Sequence, residues 1–162
     1  CTGLRFFTVY GPWGRPDMAL FLFTKSIISN EPINIFNNGK MIRDFTYIDD
    51  ISESIRRVIF KVPIPNKDFD YKKINPSDSW APFKLFNIGN SNPSTLMEYI
   101  NVIENCLGKK AIKNYLPMQD GDVIATESDN QKLYNWINFR PSTTIESGVR
   151  NFINWYKKFY GL

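Results

Sequence analysis

Apolar positions along this chain change their period several times, and each change marks an element. Residues 3 to 9 form a short apolar run with aromatic and β-branched members, closed by Gly11-Pro12. That pattern predicts a buried sheet strand running into a loop. Pro16-Asp17 predicts a helix start, with Asp17 capping Met18 to Ile28. Leu20, Phe21, Leu22, Phe23, Ile27 and Ile28 make this helix apolar nearly all round, which predicts burial between layers. Ile33 to Phe36 and Arg43 to Ile48 read as strands, with Asn38-Gly39 between them as a hairpin turn. Asp49-Asp50 is expected to cap the next helix, whose Ile51, Ile55, Val58 and Ile59 form one apolar stripe.

From Lys61 to Pro82 the periodicity disappears, and four prolines sit among Asn, Asp and Lys. Such a stretch reads as a long surface loop. Order returns with a strand over Phe83 to Ile88, closed by Gly89-Asn90. Thr95-Leu96-Met97-Glu98 matches a capping box, and Leu96, Tyr99, Ile100, Ile103 and Leu107 then line one helical face until Gly108. A strand over Ala111 to Leu116, a short helix near Asp129 to Trp136 and a break at Pro141 follow. Thr143-Thr144-Ile145-Glu146 reads as a second capping box opening a final amphipathic helix. Strands alternating with helices imply an α/β protein, a sheet fragment joined to a small mixed α/β lobe, with the hairpin breaking a pure βαβ order.

The chain has 162 residues, 43% of them hydrophobic and 22% charged, enough for one domain with a core of its own. It has no histidine and two widely separated cysteines, so neither a zinc site nor a histidine-based triad is expected. A net charge of +4 raises the question of a polyanionic partner, but the lysines are scattered and no basic helix gathers them. The expectation is no nucleic acid and no membrane, with a small anionic ligand meeting the arginines. A cytoplasmic location follows by default. Cys1-Thr2 runs straight into an apolar strand, which reads as the start of a piece cut from a longer protein.

Several separated motifs recur in one order: Gly3 to Ala19, Ile33 to Ile51, Phe86-Asn87-Ile88-Gly89-Asn90, Gly121-Asp122-Val123, and Val149 to Tyr156. Together they resemble the C-terminal half of UDP-glucuronate 4-epimerases, members of the extended short-chain dehydrogenase/reductase family. The resemblance implies the C-terminal part of an extended Rossmann-type epimerase, a substrate-binding portion occupying residues 1–162. An N-terminal NAD-binding Rossmann domain would lie outside this chain. Such enzymes move a hydride from sugar C4 to NAD and return it to the other face, with a Tyr-x-x-x-Lys motif supplying the base. Neither that motif nor a glycine-rich dinucleotide turn occurs here, so no catalytic residue is assigned and this chain alone is expected to be inactive.

On the substrate side, the resemblance assigns Arg43 to the UDP diphosphate, a role suited to a planar guanidinium fork that can bond two phosphate oxygens. A surface arginine pairing with Asp44 or Asp50 is the bland alternative. Thr8 and Arg15 are assigned to the sugar C6 carboxylate, Arg15 lying in a loop just before a helix N-terminus. Asp122 is assigned to the ribose hydroxyls, Ile35 and Phe36 to uracil, and Phe6 to the face of the nicotinamide. Tyr10, Tyr47 and Asp49 read as structural.

Three readings stay open. The first is the substrate-binding half of an NAD-dependent UDP-glucuronate 4-epimerase, homodimeric through helices outside this chain. The second is another nucleotide-sugar epimerase, dehydratase or decarboxylase of the same family. The third is a stand-alone, non-catalytic nucleotide-sugar-binding module.

Overall fold

The first apolar run folds as two strands in succession, β1 (Thr2–Phe6) and β2 (Thr8–Tyr10), in a computed structural model that describes residues 1–73 and 75–162. The strands part at Phe7. β1 pairs in parallel with β6 (Lys84–Ile88), while β2 pairs in parallel with β5 (Phe45–Tyr47). Burial was expected along the whole run, but only its far end achieves it. Tyr10 is buried, whereas Arg5 and Phe6 stand exposed, because among the described residues β1 has a neighbouring strand on one edge only.

Helix α1 (Ala19–Ser29) begins at Met18 with no side-chain cap. Asp17 is not available for that task, since its carboxylate accepts from Arg15 Nε at 3.0 Å. Phe21, Phe23 and Ile27 are buried but Leu22 is 45% exposed, so the helix covers one layer rather than lying between two.

The hairpin is overturned. β3 (Pro32–Ile35) pairs in parallel with β8 (Ile112–Tyr115), and β4 (Ile42–Arg43) pairs antiparallel with β7 (Ser94–Thr95). Asn37, Asn38 and Gly39 have φ of 49°, 48° and 79°, which winds Phe36–Gly39 into a 3-10 turn that carries the chain away from β3. Left-handed residues suit Asn-Gly in either kind of turn, so the dipeptide alone does not choose a hairpin.

Helix α2 (Ile48–Ile59) likewise starts without a side-chain cap. Asp49 and Asp50 sit in its first turn, where the helix dipole favours a negative charge. Asp50 instead accepts from the backbone N–H of Ser142 and Thr143 at 3.1 and 2.9 Å, tying α2 to the entry of the last helix. Ile51 and Val58 are buried, but the stripe ends before Ile59, which is 65% exposed. Between Ile59 and Lys84 no helix or strand is formed among the described residues, as a loop reading requires.

Helix α3 (Leu96–Leu107) opens on the predicted capping box, Thr95 with Glu98, and closes on Gly108 at φ 67°. Helix α4 (Gln131–Ile137) precedes α5 (Ile145–Tyr160). The cap of α5 lies one residue later than expected: Thr144 accepts from the Ser147 N–H at 3.3 Å.

Two apolar clusters result. The larger joins α1, α3 and α5 to the ends of β2, β3 and β5, with Phe45 stacked on Tyr99 at 3.9 Å. The smaller holds α2 and α4 against β6 through Ile51, Val58, Phe86, Ile88, Leu133 and Ile137. Among the described residues the arrangement is mixed α/β, with three short parallel strand pairs and one antiparallel pair. Among the described residues no helix is long and apolar enough to cross a membrane.

Candidate functional site

β4 is two residues long and ends on Arg43. Ile42 donates to the Ile124 carbonyl at 2.9 Å and accepts from Thr126 N–H at 3.1 Å, which lays the segment 124–126 along the strand. The Arg43 guanidinium turns toward the same segment. Its Nη2 meets Asp122 Oδ1 at 2.8 Å, and Nη1 donates to the Ile42 and Ile124 carbonyls at 2.9 and 3.3 Å. The arginine side chain is 16% exposed and the Asp122 side chain 35% exposed, so the pair is open at one rim. A guanidinium held this way is oriented in advance for oxygen anions.

Asp44, next in the chain, is fully buried. Its Oδ1 accepts from Asn90 N–H at 3.0 Å, and its Oδ2 from Ser91 and Ser128 N–H at 3.0 and 2.9 Å as well as from the Ser128 hydroxyl. One carboxylate thereby gathers the turn after β6 and the segment leading to α4. Gly89 is required at this junction. A Cβ there would run into the Ser128 side chain and stand 3.0 Å from Asp44 Oδ2.

Phe6 and Thr8 line one open cleft of about 490 Å³ together with Arg5, Phe7, Asn87 and Thr126. Thr8 also faces a second, smaller cavity of about 40 Å³, lined by Gly11, Gly14, Arg15, Met18 and the aromatic core. Thr8 and Arg15 therefore reach one cavity from the two ends of a loop. Arg15 is bonded to Asp17, and both are largely exposed, at 74% and 62%. The hydrogen bond from Arg15 holds the Asp17 carboxyl below its usual range. Tyr10, at the end of β2, is buried against Phe45, Tyr47 and Tyr99, and burial pushes its hydroxyl pKa up.

Ile35 is completely buried, backbone included, and leaves no surface for a ligand, a correction to its expected part in holding the base, while Phe36 is half-buried. Leu116 N–H donates to the Ile35 carbonyl at 2.9 Å, and Asn38 N–H to the Leu116 carbonyl at 3.1 Å. The stretch from Leu116 to Asp122 thus begins beside Ile35-Phe36 and ends at Arg43. Arg43 and Asp122 are brought into contact, Phe6 and Thr8 share a cleft, and Thr8 and Arg15 share a cavity.

Sequence reasoning passed over Asp44, Thr126 and Asn87. Asp44 was visible only as a neighbour in Arg43-Asp44, taken as a possible partner of Arg43, which it is not.

Residues 1–69 match the NAD dependent epimerase/dehydratase family. Over 159 residues the chain is 53% identical to protein CapI of Staphylococcus aureus, covering 98% of this chain and 48% of that protein. It is 45% identical over 160 residues to a probable UDP-glucuronate 4-epimerase of Rhizobium meliloti, covering 98% of this chain and 47% of the relative. The crystal structure of the Bacillus cereus UDP-glucuronic acid 4-epimerase in complex with UDP-glucuronic acid and NAD superposes with a TM-score of 0.79 at 28% identity, over 97% of this chain and 45% of that one. The chain spans about half the length of the curated relatives it matches.

Proposed function

We propose, for a chain whose residues 1–69 match the NAD dependent epimerase/dehydratase family, that it is the substrate-binding half of an NAD-dependent UDP-uronate 4-epimerase. The NAD-binding Rossmann portion would lie outside residues 1–162, and the whole enzyme would be a cytoplasmic homodimer. The observation that carries the reading is the 2.8 Å contact between Arg43 and Asp122 across 79 positions of sequence. These are the residues that the resemblance assigns, separately, to the diphosphate and the ribose of one nucleotide. The similarity to relatives described as UDP-glucuronate 4-epimerases supports the choice of sugar.

In this reading Arg43 binds the diphosphate and Asp122 accepts from the ribose hydroxyls. Phe36 borders the base, and Thr8 with Arg15 meets the C6 carboxylate. NAD, when bound, accepts a hydride from sugar C4 and gives it back. Phe6 fits beside its nicotinamide, being 49% exposed on the cleft that also contains Thr8. This chain binds and orients; the proton-transferring tyrosine would belong to the other half. The 162-residue chain alone is accordingly expected to turn over no UDP-glucuronate.

Arg43→Ala in the full-length enzyme should weaken all UDP-sugars alike, since the diphosphate is common to them. A charged hydrogen bond contributes about 1.5–3 kcal/mol, roughly ten- to a hundred-fold in affinity. Calorimetric titration with UDP, UDP-glucose and UDP-glucuronate reads this directly, and a loss confined to one sugar would contradict the assignment. Arg15→Ala should instead act on the uronate alone. It should lower kcat/KM for UDP-glucuronate by roughly ten-fold or more while changing UDP-glucose little. Equal losses on both sugars would show Arg15 to be structural or nucleotide-facing.

A further inference from the structure

We propose that Trp13, packed against the stacked pair Trp155 and Phe159 of α5, is the positioning residue that holds the Arg15 loop at the sugar site, so that the C-terminal helix takes part in sugar choice. The proposal rests on the reading of Arg15 as the carboxylate ligand.

Trp13 sits mid-way along the loop from Gly11 to Met18 and has φ of 62°, a left-handed conformation that a bulky residue adopts only under constraint. The local hydrogen bonds of the loop do not supply that constraint. Gly14 N–H bonds to the Gly11 carbonyl at 3.1 Å and Met18 N–H to the Arg15 carbonyl at 3.2 Å, which shape two turns but attach them to nothing else. Arg15 and Asp17 pair with each other in solvent. At its start the loop is held by Gly11, buried against Tyr47 and Ile48; in its middle, what reaches across to another element is the indole. Its centroid lies 5.3 Å from the Trp155 ring and 5.2 Å from the Phe159 ring, tilted on the first and edge-on to the second.

Trp155 and Phe159 are themselves stacked at 5.4 Å on one face of α5, four residues apart and so one helical turn. Trp155 is anchored in turn on Phe152 at 5.5 Å, within the large core. A path of ring contacts therefore runs from the core through α5 to the loop. It ends two residues from Arg15.

Trp13 nevertheless remains 75% exposed. An exposed indole in a strained conformation contributes little to the core, so its ring contacts act chiefly on the loop. A loop held at one point in its middle has its two ends defined by β2 and α1. Thr8 lies on the first of these and Arg15 just before the second, and both line the small cavity. Releasing the contact leaves both residues present while letting the guanidinium wander.

The test is made in the full-length enzyme with Phe159→Ala, Trp13→Gly and the conservative Trp13→Phe. Hydrogen exchange of the amides of residues 11–18 and steady-state kinetics on UDP-glucuronate and UDP-glucose are followed together. Phe159→Ala and Trp13→Gly should each speed exchange across the loop. Losing an aromatic pair should raise KM for UDP-glucuronate by about five-fold, with kcat held within about two-fold and KM for UDP-glucose unmoved. Trp13→Phe should restore most of both effects.

Unchanged exchange in two variants that fold normally would overturn the proposal. Faster exchange with equal KM changes on both sugars would also overturn it, provided that Arg15→Ala remains selective for the uronate. If Arg15→Ala is itself unselective while exchange still responds to Phe159→Ala, the carboxylate reading falls, and the claim on sugar choice falls with it.

Discussion

Asp44→Ala is expected to destabilise the protein by on the order of 4 kcal/mol, more than removal of any proposed ligand-contacting side chain. The substitution takes one buried carboxylate away from three backbone N–H groups and a hydroxyl. Those donors belong to segments 46, 47 and 84 positions distant in sequence; the Ser128 N–H and hydroxyl are buried with Asp44 and have no water to turn to, the Asn90 N–H is half-buried, and the Ser91 N–H keeps the Ser128 hydroxyl oxygen at 3.2 Å. Each unsatisfied buried donor carries its own desolvation penalty, and their sum is limited only by how far the loops relax. Asp44→Asn retains an oxygen but points an NH₂ at groups that are themselves donors, so it should recover only part of the loss. Urea unfolding at neutral pH measures both variants. A loss below about 1 kcal/mol for Asp44→Ala would mean that the segment 126–128 is held by something else. The same variant should weaken UDP-sugars without regard to the sugar, since that segment continues into Asp122 and Arg43.

The rules that worked from sequence were those whose partners lie within one turn of helix. Thr95 and Glu98 close their box over three residues, and Gly108 ends α3 because only the local backbone must turn left-handed. The same kind of rule failed wherever another group competed for the side chain. Asp17 was drawn to Arg15, two residues before it, and Asp50, inside the first turn of α2, was taken by the backbone before α5, so neither caps its helix. Asn38-Gly39 is a turn, as its composition demands, but the partner of β3 is β8, nearly 80 residues on, and no local signal could name it. Of the candidate site, the residue types were legible through resemblance and the pairing of Arg43 with Asp122 was not. Asp44 illustrates the limit more sharply. A carboxylate beside an arginine suggests an ion pair, yet Asp44, at the step between β4 and β5, turns inward to the backbone of Asn90, Ser91 and Ser128 while Arg43 turns to Asp122. Trp13 left no trace at all, because tryptophan has no standing preference for positive φ.

Lowering the pH should loosen the far side of the proposed nucleotide site through Glu104. This carboxylate, near the end of α3, is 2% exposed and accepts from Lys110 Nζ at 2.7 Å, from Ala111 N–H at 3.0 Å and from Lys113. Burial pushes its pKa up, but the hydrogen bonds from Lys110, Lys113 and Ala111 outweigh it and hold the group down at about 2, against 4.5 when free. A folded-state pKa below the unfolded one stabilises the fold fully above about 4.5, and that contribution is lost as pH falls toward 2. Its size is at most about 3 kcal/mol, since solvent screens the exposed Lys110. The loss has a direction in the structure. Glu104 straps α3 to the start of β8, β8 pairs with β3, and β3 ends at Ile35-Phe36. Urea unfolding of wild type and Glu104→Gln between pH 7 and pH 2 should show two stability curves well separated at neutrality that converge in acid, since the glutamine has no charge to lose. Curves that stay parallel across that range would mean that Glu104 contributes by packing alone and that the two lysines are incidental.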